Sequence, residues 1–344
     1  MKKDVVLMCI LVICGMTLQL PFARVRRRRI RPRRRSNRIS ESSFSIDRPL
    51  LPWNAAMVPE GEQTQDAAEL SEAVMDGVAA AANEAAAQQL MLGPAVALAP
   101  SSDSIRAVQQ EGVASIQGAL SPKTCQRLRG FVLEELSKAC RTVQDDPTQK
   151  YSMFSRDIRE TRASKTALET RFELQLPRTE ITETALMEVL HGQVGSTLAA
   201  LAGSDARLWE FTAMVAMPDS IPQRLHCDTG SPSPALFTSF VALQDVTENM
   251  GPTRFLLQTN RQAAHRQFSA DKTSFLNKAA SRIALLQEGD AVVYDSRVLH
   301  CGTENNSDKP RVLLVLTLRH VDDVSVDPAT QRTQRAYSKT MVLS

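Results

Sequence analysis

The chain has 344 residues, of which 43% are hydrophobic and 23% are charged, as is typical of globular proteins with one or two domains. The formal net charge is +3, but residues 24–38 contain ten Arg and no acidic residue. The rest of the chain is therefore mildly acidic and does not predict a nucleic-acid partner. The six cysteines include no C-x-x-C pair, which argues against a zinc site and a disulfide framework.

The first 38 residues have the features of a targeting segment. Lys2 and Lys3 precede an apolar run over residues 5–20, which predicts a signal peptide over residues 1–23 or a short signal anchor. The Arg- and Ser-rich stretch that follows is typical of organelle transit sequences. We therefore predict delivery to an organelle such as a plastid, or to the secretory pathway. The alternative is a retained anchor, with residues 1–38 in contact with a membrane.

Residues 24–103 predict an Arg-rich arm and an Ala-rich linker that are largely disordered. One helix is predicted over residues 66–92, because Ala and Glu favour helix there. The stretch lacks a broad apolar stripe, so we expect no packed domain. Pro94 and Pro100 end it.

A globular domain is predicted over residues 104–322, followed by a polar tail at residues 323–344. Its first half has helical periodicity and a short strand within residues 112–120. The predicted helices span residues 105–111, 123–140 and 184–202. Thr184 is the expected N-cap of the third helix, and Gly203 is its expected stop.

The second half of this domain consists of short apolar runs separated by Pro, Gly, Asn or Asp. These runs predict strands over residues 209–217, 235–246, 253–257, 291–294 and 312–318. Helices followed by many strands predict a mainly β, α+β fold, namely a sandwich or jelly roll with N-terminal helices packed on it.

His226 and Asp228 flank Cys227 in an H-x-D triplet. Alternate residues of an extended segment face the same side, so both side chains can bind one metal ion. His300 follows at the end of a predicted strand, and Arg311 opens the next one. Two His and one carboxylate occupy one face of Fe(II) and leave three positions open, while an Arg suits a dicarboxylate. The spacing therefore predicts an iron oxygenase.

Several longer stretches make residues 104 to about 320 resemble one known family. They are EGVASIQGALS at 111–121, QRLHCD at 223–228, FVALQDVTENMGPT at 240–253, GDAVVYDSRVLH at 289–300 and NSDKPR at 306–311. Together they resemble the phytanoyl-CoA dioxygenase family of Fe(II)- and 2-oxoglutarate-dependent oxygenases. The resemblance implies a double-stranded β-helix, a cupin-like jelly-roll barrel with iron at its mouth.

The resemblance also implies the roles of individual residues. It places the iron ligands at His226, Asp228 and His300. Arg311 matches the anchor of the 2-oxoglutarate carboxylate, and the other residues expected at the co-substrate are Phe240, Arg171 and Gln223. Asp228 stands where related halogenases have a small residue, which favours hydroxylation over halogenation.

The predicted function is hydroxylation of a C–H bond in a small or lipid-like substrate. Fe(II) is the expected cofactor, 2-oxoglutarate and O2 are the expected co-substrates, and succinate and CO2 are the expected co-products. The turn that commonly follows the Gly-Pro-Thr segment in the family reads Gln258-Thr-Asn-Arg261 here, so no particular substrate is implied. Two alternatives stay open: a catalytically silent jelly-roll binding module, and a protein hydroxylase resembling the prolyl hydroxylases.

Overall fold

The computed structural model describes residues 80, 83–94, 96–145, 171–203, 206–230 and 236–319. All of them belong to one unit of the chain, Glu69–Ser344. The predicted signal segment at 1–23, the Arg-rich arm and the tail at 323–344 lie outside the described residues, so targeting and localisation stay predictions. Within the described ranges, no helix is both long enough and apolar enough to cross a membrane.

The strands of the described chain form two antiparallel sheets. They are β1 (Val113–Ile116), β2 (Arg171–Gln175), β3 (Arg207–Ala216), β4 (Leu236–Ala242), β5 (Thr253–Leu256), β6 (Ser281–Ile283), β7 (Ala291–Asp295), β8 (His300–Gly302) and β9 (Arg311–Arg319). The larger sheet has the order β1-β7-β4-β9-β3-β2, and the smaller has the order β6-β5-β8. Because β7, β8 and β9 alternate between the sheets, strands distant in sequence become neighbours, as in a jelly roll.

The two faces of the larger sheet pack against different layers. Along β9, Leu314 and Leu316 join the cluster formed with the helices, whereas Leu313 and Val315 join Phe240 in a second cluster on the inner face. All nine residues of β9 are buried, which explains its unbroken apolar run. The architecture confirms the predicted α+β jelly roll, with the interior of the barrel on the inner face.

Helices cover the outer face of the larger sheet. The described helices are α1 (83–91), α2 (Ser104–Glu111), α3 (Pro122–Asp145), α4 (Glu180–His191), α5 (Gln193–Ala202), α6 (Gln262–Ala270) and α7 (Lys272–Leu276). Buried apolar residues of α2 to α5 share one cluster with the sheet, for example Val108, Leu128, Leu186 and Leu198. This burial agrees with the predicted packing of N-terminal helices on the barrel.

The single helix predicted over residues 184–202 is in fact two helices joined at Gly192. The N-cap is Thr179, whose hydroxyl accepts from the backbone N–H of Thr182 in a capping box. The prediction of Thr184 as the N-cap is therefore wrong: its hydroxyl lies inside α4 and donates to the Glu180 carbonyl at 2.7 Å. Gly203 ends α5 as predicted, with a φ of 96°.

The predicted disordered linker at 24–103 needs a correction near its C-terminal end. Residues 83–91 form α1, which is packed on the domain, and Ala85, Gln88 and Leu92 are buried. The following segment pairs with the smaller sheet, where Leu98 N donates to Ile283 O at 2.8 Å and Ile283 N donates to Val96 O at 2.9 Å. The buried residues Ala85, Gln88 and Leu92 have the helical spacing i, i+3, i+7, but only Leu92 is a large apolar residue.

Candidate metal centre

The structure brings His226, Asp228 and His300 together. His226 and His300 form an antiparallel bridge, with mutual backbone hydrogen bonds of 3.0 and 2.8 Å. Asp228 Oδ1 lies 3.9 Å from His226 Nε2 and 3.7 Å from His300 Nε2. One candidate ligand atom from each residue lies within 4.8 Å of the others. The H-x-D triplet and the late His therefore meet at one point, as the sequence predicted.

Both imidazole rings are oriented for metal binding by backbone carbonyls. His226 Nδ1 lies 2.9 Å from Arg224 O, and His300 Nδ1 lies 3.0 Å from Val298 O. A carbonyl only accepts, so each Nδ1 carries the proton and each Nε2 keeps its lone pair. This is the arrangement typical of histidines that bind a metal through Nε2. The chemistry of the donor set thus fits a divalent transition metal such as Fe(II).

Tyr294 orients the carboxylate of the set. Its hydroxyl donates to Asp228 Oδ2 at 2.8 Å, which leaves Oδ1 directed toward the two histidines. Burial, together with the negative charge of Asp228, holds the pKa of Tyr294 well above its ordinary value, so the hydroxyl stays a donor. The ring centroid of Tyr294 is 5.0 Å from that of His300, and Phe255 stacks on His300 at 5.7 Å. Aromatic rings therefore shield one side of the site.

Arg171 and Arg311 lie two strands apart in one row of the larger sheet. Both pair in register with Ala216 of the strand between them. Residues directly opposite each other in a sheet point to the same face, so the two guanidinium groups share the inner face. Their exposed fractions are 7% and 1%. The sequence predicted a basic pair at the co-substrate, and the structure places both residues in the same buried region.

These two arginines are incompletely paired in the described part of the chain. Arg311 Nη1 donates to Gly251 O, and Arg171 Nη2 donates to Ile221 O and Thr303 O. Arg171 Nη1 and Arg311 Nε are buried without a hydrogen-bond partner. Burial, and then the positive charge of Arg171, lower the pKa of Arg311. Because a guanidinium stays charged in proteins, the shift reflects the cost of burying two like charges. A bound carboxylate would offset that cost.

Gln223 and Phe240 occupy different parts of this region. Gln223 Oε1 accepts from Gly302 N at 2.9 Å. A Cβ at Gly302 would lie 2.8 Å from both Gln223 Oε1 and Arg171 Nη1, so only glycine permits this close approach. Phe240 is buried on the inner face, with its ring centroid 5.0 Å from that of Tyr294. Phe240 therefore contacts the aromatic group that surrounds the metal ligands.

Sequence reasoning missed three residues that support the site. Tyr294 was assigned only to a strand, although its position on the face opposite Val293 aims it inward, as alternation along β7 shows. Phe255 and Gly302 carried no signal of their own, because their contacts arise between strands distant in sequence.

Cys227 and Cys301 flank two of the candidate ligands, and burial raises the pKa of both thiols, that of Cys301 to about 11. Neither thiol is therefore an activated nucleophile.

Comparisons with known proteins found one matching family model and several similar solved structures. The family model described as phytanoyl-CoA dioxygenase (PhyH) matches residues 108–313. No curated protein sequence matches the chain. One similar solved structure is SnoK, a non-heme α-ketoglutarate-dependent carbocyclase from nogalamycin biosynthesis, which is 21% identical to this chain. The match covers 67% of this chain and 88% of the SnoK chain, with a TM-score of 0.47.

Two further solved structures are similar to this chain. AviO1 from Streptomyces viridochromogenes Tue57 is 15% identical, covering 67% of this chain and 100% of its own, with a TM-score of 0.48. HygX from Streptomyces hygroscopicus, solved with nickel and 2-oxoglutarate bound, is 11% identical. It covers 65% of this chain and 89% of its own, with a TM-score of 0.42.

Proposed function

Because the chain belongs to the phytanoyl-CoA dioxygenase family, we propose that it hydroxylates a C–H bond of a small organic substrate. The enzymes of this family are Fe(II)- and 2-oxoglutarate-dependent oxygenases. Fe(II) is therefore the cofactor of this chain, and 2-oxoglutarate is its co-substrate. The observation that carries the proposal is the meeting of His226, Asp228 and His300, with the Nδ1 of each histidine held by a backbone carbonyl. Bound Fe(II) and 2-oxoglutarate supply O2 activation and the oxidising power for hydroxylation, with succinate and CO2 as co-products.

The residues of the chain bind and orient the reacting groups. His226, Asp228 and His300 would hold the metal, which would supply the binding site for 2-oxoglutarate and O2. Arg311, with Arg171 beside it in the same row, binds the far carboxylate of 2-oxoglutarate through charge-assisted hydrogen bonds. The side chain of His300 is 4% exposed, whereas those of His226 and Asp228 are 22% and 26% exposed, so we expect substrate to approach from the side of His226 and Asp228.

The inner face beside Tyr294 favours a hydrophilic substrate over a lipid-like one. Thr238, Thr317 and Glu210 continue the row of Tyr294 across the larger sheet. The hydroxyls of Thr238 and Thr317 lie 3.0 Å apart, and Thr317 donates to Glu210 Oε2 at 3.0 Å. The hydroxyls and the carboxylate of this row can form hydrogen bonds with hydroxyl or ammonium groups of a substrate, whereas an alkyl chain offers them none. We therefore propose a small molecule that carries hydroxyl or ammonium groups.

The decisive experiment is an anaerobic titration of the full chain with Fe(II) and 2-oxoglutarate, followed by its visible charge-transfer absorption. We expect a band in the unchanged protein and in the control His191→Ala, since His191 is the exposed last residue of α4, a helix on the outer face of the larger sheet. His226→Ala should lose the band. A folded, metal-loaded protein without any band would favour the silent jelly-roll binding module instead.

Substrate-dependent formation of succinate then distinguishes the remaining alternative. Hydroxyl- or amine-bearing small molecules should increase the rate at which the protein converts 2-oxoglutarate to succinate under air. Stimulation by unfolded polypeptides alone would instead support the protein hydroxylase, and stimulation by acyl chains alone would contradict a hydrophilic substrate.

A further inference from the structure

One peptide group connects α1 to the candidate metal ligand His226. The carbonyl of Arg224 receives the Nδ1 hydrogen bond of His226 at 2.9 Å. The N–H of Leu225, which belongs to the same peptide group, donates to Gln88 Oε1 at 2.9 Å. A peptide group is planar, so an acceptor that holds its N–H also fixes the direction of its carbonyl. The side chain of Gln88 therefore constrains the ring orientation of His226.

Gln88 is itself held firmly in place. Its exposed fraction is 5%, and its Nε2 donates to Glu84 Oε1 at 3.2 Å, one turn earlier in α1. Glu84 forms an ion pair with Arg224, so α1 contacts both residues that the peptide group joins, Arg224 and Leu225. Leu92 packs with Leu225 in one apolar cluster. These contacts place the amide oxygen of Gln88 in one position rather than leaving it to rotate.

The neighbouring residue Gln89 reaches the segment that carries the other histidine. Gln89 Nε2 lies 2.9 Å from the Sγ of Cys301, the residue after His300. Its Oε1 and backbone O accept from Arg254 Nη1 at 3.2 and 3.3 Å. Arg254 pairs in register with Cys301 across β5 and β8. The same helix therefore contacts both histidine-bearing segments, which lie side by side at the His226–His300 bridge.

We propose that Gln88 is a positioning residue of the metal centre, acting on His226 through the Arg224–Leu225 peptide. The proposal rests on the proposed function, because it assumes a metal at His226, Asp228 and His300. Gln88 lies before residues 108–313, which match the family, so α1 adds this contact from outside the matched region. Two hydrogen bonds in series through one peptide group also polarise each other, which strengthens both.

The test compares Gln88→Leu with the double variant Glu84→Gln/Gln88→Glu in the full chain. Leu has a similar volume but no acceptor, whereas Glu keeps the Oε1 acceptor. The exchange at position 84 restores the donor that faces residue 88, so that two carboxylates do not oppose each other. Leu90→Ala is the control, because Leu90 is on the same helix and 83% exposed. Anaerobic titration with Co(II), followed by its visible absorption, measures metal affinity without any turnover. The melting temperature of each metal-free protein reports the structural effect separately.

We expect Gln88→Leu to weaken Co(II) binding by about three- to tenfold, somewhat less than direct partners of metal-binding histidines do. The double variant Glu84→Gln/Gln88→Glu and Leu90→Ala should bind within about twofold of the unchanged protein, a margin below 0.5 kcal/mol. Equal Co(II) affinity in Gln88→Leu would overturn the proposal, as would an equal loss in the double variant. Absence of binding in the unchanged protein would instead reject the metal site itself, and the role of Gln88 with it.

Discussion

At the scale of single residues, Asp228 contributes to the metal site more than to the fold. Its side chain is 26% exposed, and its Oδ2 accepts a hydrogen bond from Tyr294. We predict that Asp228→Ala abolishes iron-dependent succinate formation, because the metal loses its carboxylate ligand. The melting temperature should fall by only a few degrees, since Tyr294 keeps its hydrogen bond with Thr238 and the lost hydrogen bond contributes about 0.5–1.5 kcal/mol. The exposed Asp308→Ala is the control. Unchanged turnover in Asp228→Ala would reject the ligand assignment.

Arg311 is expected to act on 2-oxoglutarate rather than on the metal. Truncating one partner of a buried, hydrogen-bonded charge pair costs about 2–5 kcal/mol, which corresponds to a rise of more than about 30-fold in a dissociation constant. We therefore predict that Arg311→Ala raises the apparent KM for 2-oxoglutarate at least this much, while Co(II) affinity stays within about twofold. Steady-state rates against 2-oxoglutarate concentration measure the effect. An unaltered KM would remove Arg311 from the co-substrate site.

At the scale of secondary structure, the sequence predicted those elements whose own residues form a clear hydrophobic pattern. The apolar runs of β3, β4, β7 and β9 were located to within a few residues, because these strands are buried. The meeting of His226, Asp228 and His300 was also predictable, since the H-x-D spacing and the resemblance both pointed to it. Arg171 was placed only by the resemblance, and no strand was predicted around it.

Elements that depend on distant partners could not be predicted in this way. β8 has three residues and exists because it pairs with β5, so no periodicity is available within it. The break at Gly192 depends on close packing, since a Cβ at Gly195 would lie 1.9 Å from Leu190 O. The contact of Gln88 with Leu225 joins residues that are 137 positions apart. From its sequence alone, an Ala-rich helix whose buried residues are polar is therefore predicted to be a linker, because the surface that it packs against is not known.

The turn before β7 offers a test of packing between elements. Gly289 has a φ of +88°, and its carbonyl accepts from Leu120 N at 3.1 Å. A Cβ there would lie 2.3 Å from Leu120 O, whereas a Cβ at Gly118, which has a φ of +63°, would meet nothing within 4 Å. We predict that Gly118→Ala costs about 1–2 kcal/mol through its left-handed backbone alone. Gly289→Ala should cost at least about 1 kcal/mol more, because backbone must also shift. Equilibrium denaturation by urea measures both values, and equal losses would contradict the close approach.

At the scale of the whole molecule, we expect the buried charges of Arg171 and Arg311 to make stability depend on 2-oxoglutarate. A ligand at 100 times its Kd stabilises by about 2.7 kcal/mol, which for a protein of this size raises the Tm by about 5–11 °C. We predict such a rise when 2-oxoglutarate is added to the Mn(II)-loaded protein under anaerobic conditions. The matched ligand is 2-oxobutanoate, which keeps the keto-acid end but lacks the far carboxylate, so it leaves both guanidinium groups without a counter-charge. At the same concentration its Tm rise should be less than half as large, and Arg311→Ala should reduce the difference between the two ligands. Equal shifts in the unchanged protein would show that the arginine pair does not bind the far carboxylate.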